Sequence, residues 1–399
     1  MTVDLVIKSL AKRTTVIALT ATLVAGASAP ATAHPPQRPD YQAAIQAFVD
    51  AGFAGMHMRV HDERGEWAGS AGVRRLGTAA KPPVNGHFRI GSTTKTFTAT
   101  MVLQLVNEGR IGLDDPVADH LTRFGLDRRI TVRMLLQHTS GLFNYTGEFY
   151  PDGTFVPGVP AGGKDWVDHR LRTYQPDELV RLALAKPARY APGTTFHYTN
   201  TNYTLAGLLV EQVSGHSYAE ELRRRILRPL ELRGTVAPGA WSGLPAPYAH
   251  GYYRYQDASE WRTIDVTRQN PSLLFAAGDM ISTTEDLHRF FSALMSGKLL
   301  PASLLAEMRT PNPVLGYGLG VFVQNLSPAC DVTVIHHNGS PPGGYGALMY
   351  STPDGRKTLT ASVTTGDAAI DPGTAFNRSL PGLLRTVFCG GSGPRGISR

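Results

Sequence analysis

Strand-like alternation occupies both ends of this chain, and a long block of helix and turn signals lies between them. Gly55 to His61 alternates with period two, and Trp67 to Val73 can pair with it as a hairpin. Strand patterns return after Tyr248, at Gly316 to Val323, Val332 to His337, Tyr345 to Tyr350 and Thr358 to Val363. The last two are joined by the turn Thr352-Pro-Asp-Gly355. Between Ile111 and Tyr248 the signals are helical: Thr131 to Gln137, Pro176 to Ala185, Asn202 to Ser214 and Tyr218 to Leu227. Gly- and Pro-rich loops such as Pro151 to Gly163 divide them. Further helices read at Asp40 to Ala51 and Asp371 to Phe388. The pattern predicts an α/β chain of the α+β type, with an antiparallel sheet built from both ends and flanked by the N- and C-terminal helices. An all-helical lobe is inserted in the middle. The sheet lobe is expected at about 40–100 and 249–389, the helical lobe at about 101–248, and a site in the cleft between them.

The first 33 residues read as a secretory leader. Lys8, Lys12 and Arg13 precede an apolar run, Val16 to Ala25, that is too short to span a bilayer. Ala31-Thr-Ala33 supplies the small-residue cleavage site. No later segment reaches transmembrane length, so release into the cell-wall space is expected rather than anchoring. The formal charge of +7 falls to +5 without the three basic residues and one acidic residue of that leader. No dense basic run with interleaved aromatics points to nucleic acid. Cys330 and Cys389 suit an oxidising compartment and are expected to pair. Their bridge would close a loop of about 60 residues, worth about 4 kcal/mol in the chain-entropy account. Two cysteines without a matching histidine array do not suggest structural zinc. Residues 390–399 read as a flexible tail, no repeat at a fixed period is present, and nothing specifies an oligomeric state.

Chemistry concentrates in Phe88-Arg-Ile-Gly-Ser-Thr-Thr-Lys95. Thr96 to Asn107 reads as a helix ended by Gly109, and Ser92 and Lys95 fall one turn apart on one face. Gly91 lets the backbone turn tightly, leaving Ser92 at a helix N-terminus where unpaired N–H groups stabilise negative charge. An amine one turn away can help deprotonate the hydroxyl. Alone, the pattern is weak and reads first as an ordinary N-cap; Ser9-Leu-Ala-Lys12 repeats it by accident inside the leader.

Two further segments supply partners. Tyr198-Thr-Asn200 follows the Pro192-Gly193 loop at the start of a helix. A phenol beside an ammonium favours its ionised form and can shuttle a proton, and Asn200 offers a donor and an acceptor to a substrate amide. A loop tyrosine with a capping asparagine is the plain alternative. His337-Asn-Gly339-Ser340 ends a β-branched run. Gly339 permits close backbone approach, and the Ser340 N–H could join that of Ser92 as a two-donor oxyanion hole, each donor worth about 3 kcal/mol. His336 should face the other side of the strand, which disfavours a His-His metal site. A glycine loop with surface histidines is the alternative here.

Ser92-x-x-Lys95, Tyr198-x-Asn200 and His337-x-Gly339, in that order, resemble the motif set of the serine β-lactamase and penicillin-binding protein superfamily. The Tyr-x-Asn and His-x-Gly forms are similar to those of secreted D-alanyl-D-alanine carboxypeptidases and their class C β-lactamase and esterase relatives. Similar stretches include Gln137-His-Thr-Ser-Gly-Leu142, Gly278 to Leu287 and Tyr317-Gly-Leu-Gly320, and the likeness runs from Tyr41 to Gly390. The cysteine positions match the same secreted type. The resemblance implies that Ser92 is acylated, that Lys95 and Tyr198 handle its proton and that Asn200 orients the acyl amide. It implies further that His337, Asn338, Gly339 and Ser340 line the substrate. It implies no cofactor or metal, and small peptides, peptidoglycan fragments and β-lactams as partners. Two positions depart from the carboxypeptidase pattern: Asn338 stands where close relatives place threonine, and Phe322 where they can present arginine. Losing that guanidinium costs about 1.5–3 kcal/mol of carboxylate binding. An esterase, amidase or β-lactamase is therefore the alternative activity, and a non-catalytic muropeptide-binding protein a third. No Gly-x-Ser-x-Gly is present, which argues against an α/β-hydrolase.

Overall fold

The computed structural model describes residues 38–390 apart from 151, 313–315 and 370. The leader expected at 1–33 and the tail at 391–399 lie outside the described residues. Helix α1, Tyr41–Asp50, starts where the Asp40 carboxylate accepts from the Ala43 N–H, a cap worth about 1 kcal/mol. Strands β1, Gly55–Asp62, and β2, Gly65–Gly72, form the expected hairpin. The C-terminal third supplies β3, Phe322–Asn325, β4, Thr333–His336, β5, Tyr345–Ser351, and β6, Thr358–Thr364. Together they make one antiparallel sheet of order β2-β1-β6-β5-β4-β3. The join between the chain ends is the β1–β6 ladder, running from Gly55 opposite Thr364 to His61 opposite Thr358.

Both faces of this sheet are covered, and the alternation along β1 shows how. Met56, Met58 and Val60 pack with Tyr41, Ile45 and Phe48 of α1 and with Leu383, Leu384 and Val387 of the closing helix. His57, Arg59 and His61 point the opposite way, with His57 against Phe88, His61 stacked on His288 and Arg59 paired with Glu285. The closing helix, Pro372–Phe388, is capped by Asp371, whose side chain accepts from the Thr374 N–H. Cys330 and Cys389 form a disulfide that ties the turn before β4 to the end of that helix.

Three more helices matter for the site. Helix α2, Thr94–Asn107, is buried along nearly its whole length, so its threonines must find acceptors inside. Thr96 donates to the Gly320 carbonyl at 2.8 Å and Thr98 to the Ala276 carbonyl at 2.7 Å. Helix α3, Asn200–Ser214, packs along α2 and ends at Gly215 in the left-handed conformation. Helix α4, Thr284–Met295, lies over β1, β5 and β6. The reading of strands between Tyr248 and the closing helix passed over α4, although Thr283 caps it, Glu285 and Asp286 fill its first turn, and Leu287, Phe290, Phe291 and Leu294 keep helical spacing. The strand expected at Gly316 to Val323 starts only at Phe322. Gly316 and Gly320 have φ of 68° and 82°, which breaks extended pairing and turns Tyr317 inward, where it is fully buried. Among the described residues no helix is long and apolar enough to cross a membrane.

Candidate functional site

Two glycines bring distant segments into backbone contact. Gly91 has a φ of 49°, and a methyl group there would lie 2.7 Å from the Ser340 nitrogen. A methyl on Gly339 would fall 1.8 Å from the Ile90 carbonyl oxygen. The loop after β4 therefore rests directly on the turn that carries Ser92, pinned by a hydrogen bond from the Thr93 hydroxyl to the His337 carbonyl at 3.1 Å. Gly339 and Ala347 exchange hydrogen bonds across to β5. The N–H groups of Ser92 and Ser340 meet no acceptor among the described residues.

Lys95 follows Ser92 by one turn and is completely buried. Its Nζ lies 3.1 Å from the Ser92 Oγ, 2.9 Å from the Asn200 Oδ1 and 2.8 Å from the Ala277 carbonyl oxygen. Burial drives the Lys95 pKa well below that of a free lysine, and among the described residues no carboxylate forms an ion pair with it. In all three contacts Nζ donates, and loss of a proton from the amine would free a lone pair for the Ser92 hydroxyl proton.

Tyr198 stands beside them. Its ring lies 4.7 Å from the Lys95 Nζ, and its phenol hydrogen-bonds to Ser92. Burial outweighs that bond and raises the Tyr198 pKa. The expected ionised phenol is not favoured here, because burial raises the Tyr198 pKa and the bond to Ser92 offsets only part of that. Asn200 begins α3 instead of capping it; Thr199 is the cap.

The other predicted residues are also gathered here. Ser92, Tyr198, Phe322, His337, Gly339 and Ser340 line a cavity of about 510 Å³. His337 is buried and its pKa is pushed down to about 3, first by burial and then by Lys95. Both ring nitrogens are taken: Nδ1 contacts the Asn338 carbonyl at 2.8 Å and Nε2 the Tyr317 hydroxyl at 3.2 Å. His337 consequently brings neither a charge nor a free donor to the cavity. Asn338 donates through Nδ2 to the Tyr350 hydroxyl at 2.7 Å, and its Oδ1 is buried without a partner among the described residues. His336 stacks between Phe322 and Tyr350. No cluster of three or more His, Cys, Asp or Glu side chains suited to a metal occurs among the described residues.

Sequence reasoning did not single out His138, which organises the Tyr198 turn from below. It is fully buried with a φ of 59°, and its ring centroid lies 4.2 Å from that of Tyr198. Nδ1 accepts from the Thr199 N–H and from the Asn202 amide, both at 3.3 Å, which places the ring proton on Nε2. The His138 carbonyl accepts from the His197 N–H at 2.7 Å. The only signal was its place in Gln137-His-Thr-Ser-Gly-Leu142; burial and ring stacking are not written in that string.

Comparison with known proteins matches residues 41–377 to the Beta-lactamase family model. Penicillin-binding protein 4* of Bacillus subtilis (strain 168) is 29% identical over 69% of this chain and 60% of its own length. The chain spans 53–60% of the length of the two Bacillus subtilis penicillin-binding relatives it matches. Among solved structures, a D-stereospecific amidohydrolase from Streptomyces sp. is 37% identical, with a TM-score of 0.76 over 88% of this chain and 98% of that one. The D-amino acid amidase of Ochrobactrum anthropi SV3 shares the fold at 23% identity and a TM-score of 0.73, over 88% of this chain and 99% of that one.

Proposed function

Because this chain belongs to the β-lactamase family, we propose that it is a serine hydrolase of D-configured amides and small peptides, working through an acyl-enzyme on Ser92. The observation that carries the reading is the 3.1 Å contact between Lys95 Nζ and Ser92 Oγ, made by a buried amine whose pKa burial lowers well below that of a free lysine. Neutral Lys95 takes the Ser92 proton as Oγ attacks the substrate carbonyl carbon. The N–H groups of Ser92 and Ser340 receive the developing oxyanion. As the C–N bond breaks, Tyr198 gives its proton to the leaving amine and regains one from Lys95, which returns to the neutral form. Water then hydrolyses the ester by the reverse proton route.

The amide assignment is preferred to a D-alanyl-D-alanine carboxypeptidase for a physical reason. A peptide ending in a free carboxylate needs a cation near the leaving residue, but the two positions expected to contact it carry a phenyl ring, Phe322, and a neutral amide, Asn338, and the adjacent His337 is uncharged. The likeness to the Streptomyces D-stereospecific amidohydrolase supports the same choice. The carboxypeptidase remains the second reading, favoured by the likeness to penicillin-binding protein 4*. Export by the leader at 1–33 and cleavage near His34 complete the proposal, and the Cys330–Cys389 bridge suits that compartment.

The test compares D-phenylalaninamide, its L-enantiomer and an acyl-D-Ala-D-Ala peptide, with intact-mass measurement after penicillin exposure. Turnover of the D-amide and a Ser92 adduct are expected, both absent from Ser92→Ala. Cleavage of the D-Ala-D-Ala peptide without amide turnover would establish the second reading instead.

A further inference from the structure

A second cavity of about 500 Å³ adjoins the first and shares Ser340, Tyr345 and Thr365 with it. Its far wall is the hairpin formed by Tyr252–Asp257 and Glu260–Asp265, which presents Tyr253, Arg254 and Trp261 to the cavity. Trp261 is 57% exposed, so its indole face is open at the cavity wall. The Arg254 guanidinium lies 4.2 Å from the Trp261 ring and donates one N–H to the Ala369 carbonyl at 3.3 Å. It forms no ion pair with any carboxylate among the described residues. The acid lining this cavity, Asp371, is engaged in capping the closing helix, accepting from the Thr374 N–H at 2.7 Å.

We propose that this second cavity is an acyl-side subsite for a carboxylate-bearing substrate, with Arg254 as the specificity-determining cation and Trp261 as its stacking support. The placement rests on the proposed amide hydrolysis. Tyr198, which protonates the leaving amine, lines the first cavity and not the second. The leaving group thus departs into the first cavity, and the acyl portion extends past Ser340 into the second. A planar guanidinium already ordered on an aromatic face offers its remaining N–H groups to a carboxylate at little further entropic cost.

The experiment uses N-succinyl-D-phenylalanine p-nitroanilide and its neutral succinamoyl counterpart, which differ only in the terminal charge. A preference for the succinyl compound of about tenfold in KM is expected, the scale of one charge-assisted hydrogen bond. Arg254→Ala should bring the ratio to about one and Arg254→Lys should retain part of it. Arg262→Ala, on the same hairpin but paired with Asp257 and outside the cavity, should keep the wild-type ratio. A ratio unaffected by Arg254→Ala overturns the inference. Binding of the two compounds to Ser92→Ala, followed by calorimetry, separates the two levels. An Arg254-dependent difference in binding with no turnover in wild type sustains the subsite and removes the hydrolase reading. Turnover with no difference in binding or KM does the opposite.

Discussion

The Ile90 carbonyl oxygen sits where a side chain on Gly339 would have to go, 1.8 Å from an ideal Cβ. The contact sets the distance between Ser92 and the Ser340 N–H, so it fixes through backbone alone the geometry of the proposed oxyanion site. Gly339→Ala must push the two segments apart. Stability should fall by about 1–3 kcal/mol, the usual cost of overpacking, and the acylation rate should fall by more than that loss explains. Urea unfolding and single-turnover acylation, measured on the same preparation, check both.

Lys95 is predicted to act as a neutral base. Lys95→Met keeps the length of the side chain and removes the amine, so the fold should survive while acylation slows by about 10²–10⁴-fold. In wild type the acidic limb of the acylation rate should rise with an apparent pKa well below that of a free lysine, because burial favours the uncharged amine. A pH profile that stays flat until the ordinary lysine range contradicts this assignment.

Much of this was legible in the sequence, and the parts that were not share a cause. Ser92, Lys95, Tyr198, Asn200 and the loop from His337 to Ser340, which the structure brings together, could be named because each carries a side chain or glycine whose chemistry shows in one dimension. The two-ended sheet was legible because period-two alternation survives in β1 and β6, the strands that join the two chain ends. The charge states were not. The sequence places a phenol beside an amine and suggests a phenolate, whereas burial acts on both groups at once and shifts both toward their neutral forms. His138 and Tyr317 escaped for a similar reason, since their importance lies in rings packed together from segments far apart in the chain.

Tyr198 should matter in proportion to how badly the leaving group needs a proton. An amine must be protonated to leave, whereas p-nitrophenolate leaves without help. Tyr198→Phe is therefore expected to slow D-amide hydrolysis by about 10²-fold or more and to slow release of p-nitrophenol from an ester far less. Parallel kcat/KM measurements on an amide and an ester of the same acyl group decide it; equal losses would mean that the phenol acts on Ser92 alone.

Asp279 gives the stability of the fold a pH dependence that involves no catalytic group directly. It lies two residues beyond Ala277, whose carbonyl holds Lys95, and it is 3% exposed with Oδ1 unpartnered among the described residues. Burial raises its pKa to about 7, against which hydrogen bonds with the backbone of Ala276 and of Asp279 itself act more weakly. The folded pKa exceeds the unfolded one, so the folded state binds the proton more tightly. The contribution is fully present below about pH 4, where both states are protonated, and is lost as the pH rises through about 7. Asp279→Asn replaces the protonated acid by a neutral isostere and should flatten that slope, leaving the variant more stable than wild type by a few kcal/mol above pH 7. Denaturant unfolding at pH 5, 6, 7 and 8 reads the difference directly. A wild-type-minus-variant difference that does not change with pH would show that Asp279 is ionised throughout, and that the loop carrying Ala277 accommodates the charge by contacts other than those to its own backbone.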